Sequence, residues 1–420
     1  MTPPPARLEV LIIGTDEVGW RGDDLRPTWD MYRRFAESSA NLARREAVLW
    51  ALDELESVMG SDWLERYYDK AGHVPAEVNL GPAHVVAAGN LLDLALRYHV
   101  LAGAPGSGKV RNEMRSDLRD ERRWHSALQL EVGALAAREG FSVALEARSP
   151  ASNIPSDVVM RRDGQELRVE TFAVLRDERA QQATAYWDRF SSRTLQISGE
   201  FNVGISGDTG PRLSSDDYEQ LLQLIRAAAE EVAATGQERA IEYAGAQLRI
   251  LPPGQDDYEL TGAIEESQGW PRTESKLIRK AKQAARAGGG WLRTDIRDGM
   301  WQFTPWARAH LRAKIEEVAC LTTVALRQVP GIDGAVLSNG AGFAQGEFHG
   351  ESARTAHGCY GIRRLIPAAR VRETMIIPVT QLGRSQATLW LRMYDTEEHW
   401  LDWALARAGL PTRERIFGRQ

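Results

Sequence analysis

EVGALAAREGFSVALEARSPASNIPSDVVMRRDGQELRVETF, residues 131–172, is the stretch whose reading decides the fold. Its first residues belong to a helix running from Ala127 to Arg138, and Gly140 follows as the glycine that a helix end favours. Three apolar runs come next, Phe141–Glu146, Asp157–Arg161 and Leu167–Val174, each short enough for a strand. Asp163-Gly164 between the second and third is a tight-turn signal. Antiparallel strands joined there bring Asp157 and Glu170 close together. Val158, Val159, Leu167 and Val169 flank these carboxylates, so the strands are expected to be central, with the acids emerging at one end or face of the sheet.

Working outward, Leu8–Gly14 (LEVLIIG) reads as a buried strand, and residues 28–59 and 82–101 carry apolar residues at helical spacing, as in Leu49, Leu52, Leu55 and Met59. Residues 1–108 are expected to form a strand and helical subdomain that ends at the flexible junction Gly103-Ala-Pro-Gly-Ser-Gly108. An α/β core is expected over 109–300, with further strands at Thr194–Ile197 and Ala240–Leu251 and helices at Arg179–Phe190 and Ser215–Ala234. Residues 301–420 are expected to form a C-terminal α/β extension with a helix at Pro305–Val329 and strands at Gly334–Ser338 and Ala387–Tyr394. The fold class is mixed α/β, built on a central mixed sheet.

At 420 residues with 43% apolar residues the chain is expected to divide into two or three domains. The formal net charge of -6 means that affinity for a polyanion must come from a local patch. Two cysteines, Cys320 and Cys359, make no disulfide framework, and the N-terminal Met-Thr-Pro-Pro-Pro has no signal-peptide pattern. A cytoplasmic protein without a membrane span is expected.

Phosphodiester hydrolysis requires stabilising the charge on a pentacoordinate phosphorus and ionising a water, and a divalent cation held by two or three carboxylates does both. The helix bearing Glu131, Pro155-Ser-Asp157 and Glu170-Thr-Phe172 together resemble the PD-(D/E)XK, or restriction-endonuclease-like, superfamily, over residues 124–300. That resemblance implies a restriction-endonuclease-like sheet, Mg²⁺ as cofactor, Glu131, Asp157 and Glu170 as its ligands, and nuclease activity. The motif lysine is replaced by Phe172, so a migrated lysine from the helix with Lys276, Lys280 and Lys282 is expected to stand in, with Lys280 assigned the role beside Asp157 and Glu170.

Between Arg272 and Lys314 stand 11 Lys and Arg against 3 Asp and Glu. Lys276, Arg279, Lys280, Lys282, Arg286 and Arg293 are the expected nucleic-acid contacts. Trp270, Trp291, Trp301 and Trp306 interleave with them as candidate stacking rings for DNA or RNA. A helix followed by the Asp298-Gly299 hairpin also has the outline of the end of a winged helix.

Two readings compete with nuclease activity. One is a degenerate nuclease-like fold that binds nucleic acid or scaffolds a defence or repair assembly, with a protein partner or a second copy of itself. The other is a nucleotide-binding loop at Gly103–Lys109, which fits G-x-x-x-x-G-K but has Val110 where the Mg²⁺-binding hydroxyl belongs. His349, Glu351, His357 and Cys359 match no zinc spacing.

Overall fold

The computed structural model describes residues 27–418 except 38, 72–84, 149–152, 175–185, 187–189, 191–192, 195, 211, 253–258, 262–269, 297–307, 340–341, 344–350, 356–357, 367–369 and 396–399. The expected strand at Leu8–Gly14, the Asp298-Gly299 hairpin, Trp301, Trp306, His349 and His357 lie outside the described residues, as does nearly all of the Arg179–Phe190 helix.

By contacts the chain forms two units that cut across the expected boundaries. One comprises Met1–Phe172, Lys280–Thr294 and Pro305–Gln420, and the other Ala173–Arg279 and Asp295–Thr304. The N-terminal helices are therefore no separate subdomain, and neither are the C-terminal elements. They share one core.

The first unit opens with helices α1 (Trp29–Glu37), α2 (Leu42–Met59), α3 (Trp63–Ala71), α4 (Val85–Leu101), α5 (Ser107–Ser116) and α6 (Asp120–Arg138). Asn41 caps α2 by accepting from Arg44 N at 3.0 Å, and this cap breaks the long helix expected over 28–59 into two. Strands β1 (Ser142–Arg148), β2 (Pro155–Arg162) and β3 (Gln165–Val174) follow. β2 and β3 pair antiparallel, Arg162 opposite Gln165, across the two-residue turn Asp163-Gly164, whose residues have φ of 52° and 75°. Positive φ at both turn positions matches the right-handed twist of the strands it joins.

In the second unit β4 (Gly204–Asp208), β5 (Arg239–Tyr243), β6 (Ala246–Leu251) and β7 (Glu259–Thr261) make a four-stranded sheet in the order β5-β6-β4-β7. Helix α7 (Ser215–Thr235) belongs to it, capped by Ser214 Oγ accepting from Asp217 N and closed by Gly236 in the left-handed conformation. The expected single strand Ala240–Leu251 is this sheet's β5–β6 hairpin, turned at Ala244-Gly245. Residues 193–194 and 196–200 are helical rather than a strand. Thr194 Oγ1 donates to Phe190 O, four residues back, at 3.0 Å, which suits a helix.

The chain continues through α8 (Trp270–Arg286), inside which the division between units falls. Then come β8 (Gly290–Ile296), α9 (Arg308–Arg327), β9 (Ile332–Asn339), β10 (Gly342–Phe343), β11 (Glu351–Arg354), β12 (Tyr360–Ile366), β13 (Arg370–Pro378), α10 (Gln381–Asp395), α11 (Trp400–Arg407) and α12 (Arg413–Phe417). The first unit's sheet has nine strands in the order β1-β2-β3-β8-β9-β13-β12-β11, with β10 beside β13. Thus β3 and β8, far apart in sequence, are neighbours.

The run Ala387–Tyr394 is helical, a correction to the expected strand. Its alternation is real, but Ala387, Trp390 and Tyr394 also fall at helical steps and are the residues buried. Thr380 Oγ1 caps the start by accepting from Gly383 N at 2.9 Å. The core of this unit joins α2, α4, α6, α10 and α11 to one face of the sheet through Leu52, Leu91, Leu135, Val158, Val169, Trp390 and Trp400. Among the described residues no helix is long and apolar enough to cross a membrane.

Candidate active site

Register fixes the site. β1 pairs Leu145 with Val158 and Ala147 with Ser156, which sets Glu146 against Asp157. β2 pairs Val158 with Val169, so one step further Asp157 stands against Glu170. Three carboxylates therefore form a row across three neighbouring strands. Val158 and Val169, one residue out of step with Asp157 and Glu170, turn into the core on the opposite face. Glu146 has φ of 51°, a left-handed conformation in mid-strand that costs a non-glycine residue on the order of 1 kcal/mol.

Asp157 is 6% exposed and Glu170 2%. Asp157 Oδ2 accepts from Thr171 N at 2.6 Å and from Thr171 Oγ1 at 3.1 Å. Glu170 Oε1 accepts from Lys280 Nζ at 2.9 Å, and Lys280 also donates to Gln283 Oε1 at 3.3 Å. Glu170 Oε2 is buried without a hydrogen-bond partner among the described residues.

Helices α5 and α6 complete the cluster. Lys109 Nζ donates to Glu146 Oε2, and Gln129 Nε2 to Glu146 Oε1, each at 2.5 Å. His125 Nδ1 lies 2.9 Å from Thr171 O, an atom that only accepts, so this ring nitrogen carries the proton. His125 Nε2 then faces Asp157 Oδ1 at 3.7 Å and Glu146 Oε1 at 3.9 Å.

Burial raises the Asp157 carboxyl, and the Glu146 charge adds to this against the opposing His125 and Thr171 N–H. Burial, with Asp157 beside it, lifts Glu170 to about 7 in spite of Lys280. Burial also works against ionisation of Glu146, but the His125, Lys109 and Gln129 side chains override it and hold the group at about 2.

The other expected site residues lie elsewhere. Glu131, expected as a metal ligand, has both oxygens taken. Oε1 accepts from Arg293 Nη2 at 2.7 Å and Tyr394 OH at 2.9 Å, and Oε2 from Arg372 Nη1 at 2.8 Å and Arg97 Nη1 at 3.4 Å. Six residues along a helix turn a side chain to a different face, whereas His125 and Gln129, four apart, share one. The helix of the motif thus contributes His125 to the carboxylate row, and Glu131 to a buried arginine cluster.

Arg293, expected on the nucleic-acid surface, is fully buried in that cluster and also donates to the Thr294 carbonyl. Trp291 is 1% exposed and donates to Gln386 Oε1 at 2.7 Å, which rules it out as a stacking platform. Of the α8 cations, Arg279, Lys282 and Arg286 are exposed, Lys276 is half-buried, and Lys280 turns inward to Glu170. Phe172, in the place of the motif lysine, is buried among core residues.

Gly103–Lys109 follows helix α4 instead of a strand, so the frame of a nucleotide-binding loop is absent. The loop is anchored instead of acting as a flexible junction: Leu145 N donates to Pro105 O at 2.7 Å, and a Cβ on Gly106 (φ +84°) would stand 1.8 Å from Leu145 O. That close approach delivers Lys109 to Glu146.

Sequence reasoning missed His125, Gln129, Glu146 and Glu113. The i, i+4 spacing of His125 and Gln129 at the start of the helix, and Glu146 at the end of the strand preceding Asp157, were the available signals. Comparison with family models, with curated proteins and with solved structures finds no match for this chain.

Ligand atoms of Glu113, His125 and Glu146 lie within 4.8 Å of one another, a group that can hold a metal ion. The orphaned Glu170 Oε2 beside Asp157 fits the same chemistry, because a buried carboxylate oxygen without a donor is satisfied by a cation.

Proposed function

We propose that this chain is a divalent-metal-dependent phosphodiesterase of DNA or RNA with a restriction-endonuclease-like core, in which Asp157, Glu170 and Lys280 carry the chemistry. The observation that carries this reading is the Lys280 ammonium 2.9 Å from Glu170 Oε1, on the strand next to Asp157. It supports a lysine migrated from the position Phe172 occupies to helix α8. Asp157, Glu170 and Glu146 would hold the cation, Mg²⁺ in the reading from the resemblance. Bound there, the cation would offset charge building on the phosphoryl group and ease ionisation of the attacking water.

The chain's own groups have separable tasks. Thr171 N–H and Oγ1 fix Asp157 Oδ2, which leaves Oδ1 facing His125 Nε2 at 3.7 Å. Glu170 holds the Lys280 ammonium, a donor able to orient a water or a phosphoryl oxygen. Arg279, Lys282 and Arg286 recur at helical steps on α8 and are exposed, so they can pair with backbone phosphates.

The test is cleavage of single- and double-stranded DNA and RNA with Mg²⁺ or Mn²⁺, against EDTA, by wild type, Asp157→Asn and Lys280→Ala. Metal-dependent cleavage lost in Asp157→Asn supports the reading, and equal cleavage by that variant refutes it. The buried Phe172 favours a second reading, a nuclease-like fold that binds nucleic acid without cutting it. That reading expects binding unchanged by EDTA and weakened by salt.

A further inference from the structure

We infer that His125 is a nitrogen ligand which, with Glu113 and Glu146, makes a site for a first-row transition dication such as Mn²⁺ in preference to Mg²⁺. This deepens the hydrolase reading and rests on the same carboxylate row, yet it stands or falls on cation binding alone.

The imidazole is set for ligation. Nδ1 is committed to the Thr171 carbonyl, which fixes the ring plane and leaves Nε2 as the nitrogen a cation takes, displacing any proton held there. Nε2 faces Glu146 Oε1 at 3.9 Å and Asp157 Oδ1 at 3.7 Å. Atoms each about 2.1 Å from a shared ion lie at separations of this order. Glu113, on the neighbouring helix α5, brings a third ligand atom into the group and has a buried oxygen, Oε2, with no partner among the described residues.

A second observation comes from Gln129. Its amide nitrogen sits 3.2 Å from His125 Nε2 and 2.5 Å from Glu146 Oε1, so it occupies the place between two lone-pair donors where a cation would sit. The side chain is fully buried, and its own Oε1 has no partner among the described residues. Half a turn of the amide withdraws the competing donor and presents Oε1 to the same point.

Four carboxylates, Glu113, Glu146, Asp157 and Glu170, stand here against two lysines, Lys109 and Lys280. Selectivity follows from ligand type: Mg²⁺ keeps to oxygen and to its own waters, whereas imidazole suits the later first-row ions.

The experiment loads the full-length chain with Mn²⁺ and records electron spin-echo modulation, beside calorimetric titrations with Mn²⁺ and with Mg²⁺ on wild type, His125→Ala and His125→Asn. The inference expects ¹⁴N coupling from one imidazole in the wild type. It also expects Mn²⁺ affinity on the order of tenfold or more above Mg²⁺, with a loss of similar size in both variants. Because the coupling is read on the wild type, variants that fail to fold do not spare the inference. Mn²⁺ bound without ¹⁴N coupling, or no Mn²⁺ binding, overturns it. Coupling without cleavage of any nucleic acid keeps the cation site and removes the hydrolase reading. Cleavage with no coupling does the reverse.

Discussion

Helix α6 presents buried polar side chains to two regions of the same unit, and their difference separates a structural acid from a functional one. Glu131 is met by Arg97, Arg293, Arg372 and the Tyr394 hydroxyl, so every lone pair has a donor. Arg293 and Arg372 hold its carboxyl well below the usual carboxylate range although burial opposes ionisation. Beside His125 the balance is reversed, with acids facing acids, Glu170 lifted to about 7, and one of its oxygens without a donor. A carboxylate saturated by guanidinium groups stabilises a fold, and a row of neighbouring carboxylates with one oxygen left without a donor is suited to a cation.

Substitution on the two sides of α6 sharpens this contrast. The largest effect is expected from Asp157→Asn. Cleavage should fall on the order of a thousandfold or more, about 4 kcal/mol in the barrier, while urea denaturation shows folding stability little changed. If stability and activity fell together, the row would be structural after all. Glu131→Gln should do the opposite, lowering folding stability by about 3–5 kcal/mol in the same denaturation experiment, because the fully buried Arg293 loses this carboxylate as a partner and Arg372 and Arg97 lose it too.

The two regions also titrate in opposite directions. Glu131 stays ionised in the folded chain, so its contribution is present above the ordinary carboxylate range and is lost as pH falls below it. Glu170 stands near 7 in the folded chain against 4.5 ordinarily. Its contribution is therefore full below about pH 4.5 and is lost as pH rises to 7, by about 3 kcal/mol in metal-free protein. Denaturation of Glu170→Gln across that window should lack this fall, and an unchanged slope would place the proton elsewhere. The smallest effect is expected on the surface. Replacing Arg279, Lys282 and Arg286 one at a time by Ala should weaken nucleic-acid binding modestly, each lowering the slope of log affinity against log salt by about 0.9 for duplex DNA.

Much of the site's frame was legible in residues 131–172. Asp163-Gly164 fixed the hairpin, the hairpin fixed the register, and the register set Asp157 against Glu170. Lys280 was reachable by asking where a replacement lysine could come from once Phe172 filled the motif position. Glu131 was misread because a motif names a residue type on a helix, while a helix has faces, and only packing decides which face meets the sheet. The domain limits failed for a related reason. Strand order β3-β8-β9-β13 joins segments separated by the second unit and by the C-terminal region, and one sequence records nothing of such long-range pairing. Arg293 and Trp291 looked like surface groups by composition, yet both sit on β8, a central strand.

Thermal denaturation with and without Mg²⁺, run in parallel on wild type and on an Asp157→Ala, Glu170→Ala double variant, tests the carboxylate row most directly. A cation bound only by the folded row stabilises it by about 2.7 kcal/mol at a hundredfold excess over Kd. The wild type should therefore melt several degrees higher with Mg²⁺, and the double variant should not. Equal responses of the two proteins, shifted or flat, would contradict a cation site built on Asp157 and Glu170.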